Sequence, residues 1–225
     1  MLNSSPAKPL MALPMEEFLK RLASDAPTPG GGSVSAYAGA MAGALVSMVG
    51  TLTQGKQMPS GDEFDGMEIL IEQGHQIAQT LSEAVDRDSA AFDAVMAAFK
   101  LPKDTDEAKA ARSVAIQAAT KHAAEVPLEV ARECLAAAEL AFVALDQGNP
   151  NCASDAGVAG ILAVAGLEGA ILNVAINLGS IKDSEWVAAK RTECEQLLER
   201  RREIRSSLEV RLKVAIPGME GLLTL

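Results

Sequence analysis

The sequence predicts an all-α protein: a single-domain helical bundle with two long, buried central helices rich in small residues. Three observations carry this. Hydrophobic residues make up 48% of the chain but aromatics only 3%, so the core must close through small side chains, as tightly packed helices do. Stretches that alternate Val, Ile, Thr or aromatic residues with polar ones, the mark of half-buried strands, are few. Two segments, 34–53 and 156–181, are built mainly from Ala, Gly, Ser and Val, and Glu168 is their only charge. Helices this apolar are buried on all sides or cross a membrane.

The elements follow in order. A short amphipathic helix is expected over 15–23, with Phe18, Leu19 and Leu22 on one face. Pro27 and Pro29 then stiffen the chain ahead of Gly30, Gly31 and Gly32. Glycines let another molecule approach the backbone closely. Ser33 is a good N-cap for a helix opening at Val34, and such an N-terminus suits a carboxylate or phosphate. A linker or turn is the plainer reading of a bare glycine triplet. The first central helix runs over 33–54 to Gly55, with Ala36, Gly39, Ala40, Gly43 and Ala44 as a small-residue face. A loop over 56–61 holds Pro59 and Gly61.

A long helix is expected over 64–100, stopped by Leu101-Pro102. Acidic residues from Asp104 to Glu107 open the next helix, which reaches Val126, where Pro127 marks a kink or a new start. Its continuation ends at Gly148, and Asn149-Pro150-Asn151 is a turn. The second central helix spans 154–178 and closes at Gly179. A charged helix, 183–214, carries Arg200, Arg201 and Arg202 on a solvated face. No internal repeat or composition shift divides the chain. Residues 1–13 are read as a flexible segment and 14–225 as one domain.

The formal net charge of −10 sets nucleic-acid binding aside. Cys134, Cys152 and Cys194 are scattered and odd in number, which reads as buried thiols in a reducing, cytoplasmic setting. His75 and His122 stand in no metal-binding pattern, so neither metal nor cofactor is expected. Residues 1–13 lack the pattern of a signal peptide. The two apolar segments are long enough to span a bilayer. Their small residues and the lack of flanking Lys and Arg clusters favour a soluble bundle with no membrane role.

Candidate site residues fall in four places. On the helix over 64–100 an apolar stripe runs through Ile77, Leu81, Ala84 or Val85, Phe92, Val95 and Phe99, and Asp88 sits on it. Asp86 points about 200° away around the axis, and Asp93 is also off the stripe. A carboxyl in an apolar setting has a raised pKa, suited to acid–base work near neutrality. A structural Asp88, paired with an Arg or capping a neighbouring helix, stands as the alternative. Lys100 and Lys103 bracket the break after that helix; they suit its C-terminal dipole or an anionic substrate tail. Ser154 and Asp155 are ordinary helix-start residues. Asn173 and Asn177 lie one turn apart in an apolar helix, where their amides need partners: another helix backbone, or the edge of a heterocycle such as a pterin. Glu168 invites a buried ion pair.

Six segments occur in order: Pro27-Thr-Pro-Gly-Gly-Gly-Ser33 before a small-residue helix, Asp88-x-x-Ala-Phe92-Asp93, Lys100-Leu-Pro-Lys103, Val126-Pro-Leu128, Gly148-Asn149-x-Asn151-x-x-Ser-Asp155 and Asn173-x-x-Ile-Asn177-Leu178. Together they resemble the formiminotetrahydrofolate cyclodeaminase family, which includes stand-alone methenyltetrahydrofolate cyclohydrolases. The resemblance covers roughly residues 14–210. It implies an all-helical homodimer, a tetrahydrofolate substrate with or without a polyglutamate tail, and Asp88 as catalytic acid–base. It further implies that Asn173, Asn177 and Asp155, with Asn149 and Asn151, hold the pterin or the reacting region. Lys100, Lys103 and the helix start over Gly30, Gly31, Gly32 and Ser33 would receive glutamate carboxylates. The expected reaction is conversion of 5-formiminotetrahydrofolate to 5,10-methenyltetrahydrofolate with loss of ammonia. Hydrolysis of the methenyl compound to 10-formyltetrahydrofolate is the alternative, and a folate-binding protein without turnover the second.

Overall fold

The small-residue segments form helices because Ala has the highest helix propensity and tertiary packing offsets the cost of the interspersed glycines. A computed structural model describes residues 8–54 and 66–219. Among these are six α-helices and no strand: α1 Met15–Leu22, α2 Gly31–Thr53, α3 Met67–Phe99, α4 Asp106–Gln147, α5 Ala153–Leu178 and α6 Ser184–Ala215. Short 3-10 turns at Leu10–Ala12 and Pro150–Cys152 precede α1 and α5. The predicted Gly55 helix end, the loop over 56–61 and the helix start at 64 lie outside the described residues.

Helix α2 is the axis of the bundle, with α3 and α5 on its flanks, α4 behind, and α6 against α4 and α5. Glycines set its register. A Cβ on Gly39 would lie 2.6 Å from the Leu81 side chain, and one on Gly43 would lie 2.8 Å from the Gly74 carbonyl oxygen. A Cβ on Gly50 would meet Ile71 at 2.7 Å. Stepping up α2 therefore steps down α3, which makes the pair antiparallel. On the other flank Ser35 packs on Gly169, and its carbonyl and the Gly39 amide lie against Gly166, so α5 is antiparallel to α2 as well.

Of the two readings of Pro127, a new helix start is not found: α4 runs through it without a break over 42 residues. Proline lacks an N–H, so the Ala123 carbonyl one turn earlier loses its usual donor. Asn177 of α5 replaces it: its Nδ2 donates to Ala123 O at 2.9 Å and to Asn173 O at 2.9 Å.

Other expectations need correction. Helix α2 begins at Gly31 with Gly30 at the N-cap, so Ser33 is inside the first turn and does not cap it. Leu19 is 55% exposed; of the α1 face only Phe18 is buried. Toward the end of α3 the buried positions are Ala91 and Ala98, while Phe92 and Phe99 are exposed. Leu10, within the segment read as flexible, is buried, and its N–H donates to Asp86 Oδ1 at 2.7 Å. Asp86 thus points away from Asp88, as its spacing required.

Replacing Asn177 by Leu would leave the Ala123 carbonyl without a donor in the core. The expected cost is about 1–3 kcal/mol, read as a melting temperature lower by roughly 2–12 °C for a chain of this size. An unchanged melting temperature would show that the carbonyl finds another partner.

Candidate active site

Two helices build the site at the N-terminal end of α2. The first turn of a helix has free N–H groups and partial positive charge, which attract a carboxylate. Here the carboxylate belongs to the protein. Asp88 of α3 lies over Gly32 so closely that a Cβ there would sit 2.1 Å from Oδ1 and 2.5 Å from Cγ. The Ser33 hydroxyl lies 2.9 Å from Asp88 Oδ2 and 3.1 Å from the Val85 carbonyl, donating to one or the other. Ser33 is fully buried. Asp88 thus caps α2 from a neighbouring helix, one of the two structural roles considered for it. The nearby Arg87 instead makes a bidentate pair with Glu129, at 2.7 and 2.9 Å.

Capping does not exhaust the chemistry of Asp88. Burial pushes its carboxyl above the ordinary aspartate range, and the opposing hydrogen bonds from the Ser33 hydroxyl and backbone N–H do not cancel that. The Ser33 hydroxyl engages Oδ2, while Oδ1 lies against the backbone of Gly32. Asn173 flanks the same helix start: a Cβ on Gly31 would touch its Nδ2 at 3.4 Å and its Oδ1 at 3.7 Å. Asn173 Nδ2 is held by the Gly169 carbonyl at 2.8 Å. A half-buried acid–base group and a fixed amide therefore share one helix terminus with Gly31, Gly32 and Ser33.

The other expected residues are not gathered there within one chain. Asn149 is buried at the opposite end of α2, where its N–H donates to Thr53 Oγ1 and its Nδ2 to the Leu52 carbonyl. Its Oδ1 accepts from the Asn151 N–H at 3.1 Å. That end is about 30 Å from Gly32 at 1.5 Å per residue. Asn149 thus closes the α2 C-terminus, with Asn151 exposed beside it and Asp155 in the first turn of α5. Lys100 and Lys103 are exposed past the end of α3, the former about 18 Å along the helix from Asp88. The α3 terminal carbonyl of Phe99 is bonded by Arg112, at 3.0 Å from NH2. Glu168 makes an ion pair with Arg201 and Arg205, at 3.2 and 3.3 Å. The position expected to receive a substrate carboxylate, over Gly32 and Ser33, is filled by Asp88 itself.

Sequence reasoning missed Ser89. Its hydroxyl lies 3.3 Å from Ser33 Oγ, and it lines a groove of about 640 Å³ bounded by Lys8, Leu10, Arg21, Pro29 and Asp93. Nothing in a helical Ser beside an Asp signals this; it depends on Ser33 arriving from another helix. Among the described residues no three His, Cys, Asp or Glu side chains form a metal-binding group. The three cysteines are free and buried, and burial pushes Cys134 up to about 12.

A raised carboxyl pKa makes the native state bind its proton more tightly than the unfolded chain does. The stability Asp88 contributes is then complete below the ordinary aspartate range and is lost as pH rises through the raised value. Asp88→Asn lacks that loss. Its melting temperature relative to the unsubstituted protein should climb across this window and level off above it, in thermal melts from about pH 4 to about pH 8. A constant difference would contradict the buried setting of Asp88.

Residues 14–196 match the family model described as formiminotransferase-cyclodeaminase. A methenyltetrahydrofolate cyclohydrolase from Methylorubrum extorquens is 47% identical over 184 residues, covering 82% of this chain and 88% of that protein. A formimidoyltransferase-cyclodeaminase from Sus scrofa is 37% identical over 202 residues, 88% of this chain but only 36% of that longer protein. The crystal structure of formiminotetrahydrofolate cyclodeaminase from Thermotoga maritima is 32% identical, with a TM-score of 0.72 over 93% of this chain and 98% of that one. With a family match over most of its length and a 47% identical relative aligned nearly end to end, the chain belongs to the formiminotransferase-cyclodeaminase family.

Proposed function

We propose that this protein is a methenyltetrahydrofolate cyclohydrolase with Asp88 as its general acid–base. Its family relatives are enzymes of folate one-carbon chemistry, and so is this chain. The observation that carries the finer reading is the Asp88 carboxyl: fixed through Oδ2, seated on the first turn of α2, only half-buried and raised by burial. The 47% identical cyclohydrolase, matched along 88% of its length, favours water over ammonia as the exchanging group. The Thermotoga structure, named a cyclodeaminase and aligned over its whole chain, supports the second reading, loss of ammonia from 5-formiminotetrahydrofolate.

The chemistry follows from one carboxyl. Water attacks the methenyl carbon between N5 and N10, and Asp88 takes a proton from it as the C–O bond forms. The carbon becomes tetrahedral. Asp88 returns that proton to N5, the C–N5 bond breaks, and the carboxylate takes the hydroxyl proton as the formyl C=O forms on N10. A carboxylate beside the bound cation also stabilises its charge before attack. Asn173 offers an amide to the pterin edge. Asn177 is engaged with Ala123 and Asn173 through its Nδ2 and contributes by holding Asn173 and α4 in place. Lys100 and Lys103 would meet the distal glutamates of a polyglutamate tail.

We also propose a homodimer. Exposed Val34, Met48 and Leu52 of α2 and Val158, Ile161, Leu172 and Ile176 of α5 form apolar faces on adjacent antiparallel helices. Leu172 and Ile176 are 72% and 76% exposed, more than isolated surface residues in so apolar a helix explain. In a second copy these faces find a self-complementary cover. Leu172→Glu with Ile176→Glu should convert a dimer to a monomer in light scattering coupled to size exclusion; an unchanged mass would move the interface elsewhere.

Asp88→Asn should lower turnover at least about a hundredfold while substrate binding changes little, in line with loss of a general acid–base. Gly32→Ala should approach the same loss, because its Cβ displaces the carboxyl. Methenyl absorbance, followed with each of the two folate substrates, measures both variants and ranks the two reactions. Faster use of the formimino substrate by the unsubstituted protein would reverse the assignment in favour of deamination. Near-normal turnover by Asp88→Asn would move the catalytic role to another residue.

A further inference from the structure

We propose that Ser33 and Ser89 form a two-hydroxyl relay that exchanges the proton of Asp88 with water in the groove beside α3. The proposal rests on Asp88 being the acid–base of the reaction. Hydrolysis of the methenyl cation consumes one water and yields a neutral formyl compound, so one proton leaves the site in each turnover. Asp88 cannot act again until it has released what it took.

Three distances define the route. Ser33 Oγ lies 2.9 Å from Asp88 Oδ2 and 3.3 Å from Ser89 Oγ, with the Val85 carbonyl at 3.1 Å. Ser33 is fully buried, so no water reaches it directly. Ser89 is half-buried and lines the groove. The Ser33 hydroxyl has one hydrogen and three neighbours. The Val85 carbonyl only accepts, the ionised carboxylate only accepts, and Ser89 both donates and accepts.

The protons balance along this line. The protonated carboxyl carries its hydrogen on Oδ2, against Ser33. The carboxyl gives that proton to Ser33 Oγ, Ser33 passes its own hydrogen to Ser89 Oγ, and Ser89 passes its hydrogen to a groove water. Rotation of both hydroxyls restores the start. Glu83 and Asp93 on the groove wall accept protons from that water, while Asp86 is occupied by the Leu10 N–H. Ser33 also orients the acid, because its bond to Oδ2 fixes the carboxylate against the first turn of α2 whenever Asp88 is ionised.

Steady-state hydrolysis in dilute buffer tests this, in H2O and D2O, with and without added imidazole. Ser89→Ala should lower kcat about tenfold, less than the roughly hundredfold or more expected for loss of the acid–base itself, with KM unchanged and a larger solvent isotope effect. Imidazole entering the groove should restore much of the loss, and Ser89→Thr, which keeps a hydroxyl, should recover most of it. Ser33→Ala should lose more and resist rescue, because orientation is lost as well. Wild-type kcat and isotope effect for Ser89→Ala in dilute buffer would overturn the relay. Asp88→Asn, measured alongside, separates the two levels: an inactive Asp88→Asn beside a normal Ser89→Ala removes the relay alone, whereas an active Asp88→Asn removes the acid–base reading beneath it.

Discussion

The contact on which the rest depends is the carboxylate of α3 resting on the first turn of α2. It engages the Ser33 N–H at the start of the central helix, and it requires a residue without a side chain beneath it. Gly32 meets that requirement, since even a methyl group would overlap Asp88. The same contact fixes the acid. A side chain held by a buried serine and by a helix terminus cannot wander among rotamers, and preorganisation of this kind is what a proton-transfer group needs. One interaction therefore ends a helix, joins two helices and positions the reactive group.

That contact exists only because two long helices keep register over many turns. Between Gly32–Asp88 and Gly50–Ile71 the backbones of α2 and α3 stay close through Gly39, Gly43 and Gly74. Gly43 and Gly74 face each other, and a Cβ on either would lie 2.8 Å from the other's carbonyl oxygen. A larger residue at either would push the helices apart and lift Asp88 from Ser33, well over a turn away. The shortage of aromatics and the abundance of small residues are thus more than a signature of helicity. They let α2 sit as a thin axis inside α3, α4 and α5.

The fold was legible because helix periodicity, glycine and proline stops and acidic first turns are local signals. The site was only partly so. Asp88 stood out as a charge on an apolar stripe, and a raised carboxyl pKa followed from that placement alone. The glycine triplet was read as room for a foreign ligand, when its occupant is another side chain of the same protein. Ser33 looked like a cap because capping is judged from neighbours in sequence, whereas its partners lie more than fifty residues away. Asn149, Asn151 and Asp155 share a motif order with Asp88 but not an end of the bundle. Order along a chain says nothing of which end of an antiparallel helix a residue reaches. Pro127 misled for a related reason: a proline breaks a helix unless something else bonds the orphaned carbonyl, and Asn177 does so from α5.

Asp88 also illustrates why a buried carboxyl is costly to the fold that holds it. Its hydrogen bonds favour the ionised form, and burial favours the neutral one; burial wins. A purely structural cap would gain from more donors or a neighbouring cation, and Arg87, one residue away, is committed instead to Glu129. With Arg87 held by Glu129, its charge does not pull the Asp88 carboxyl back down.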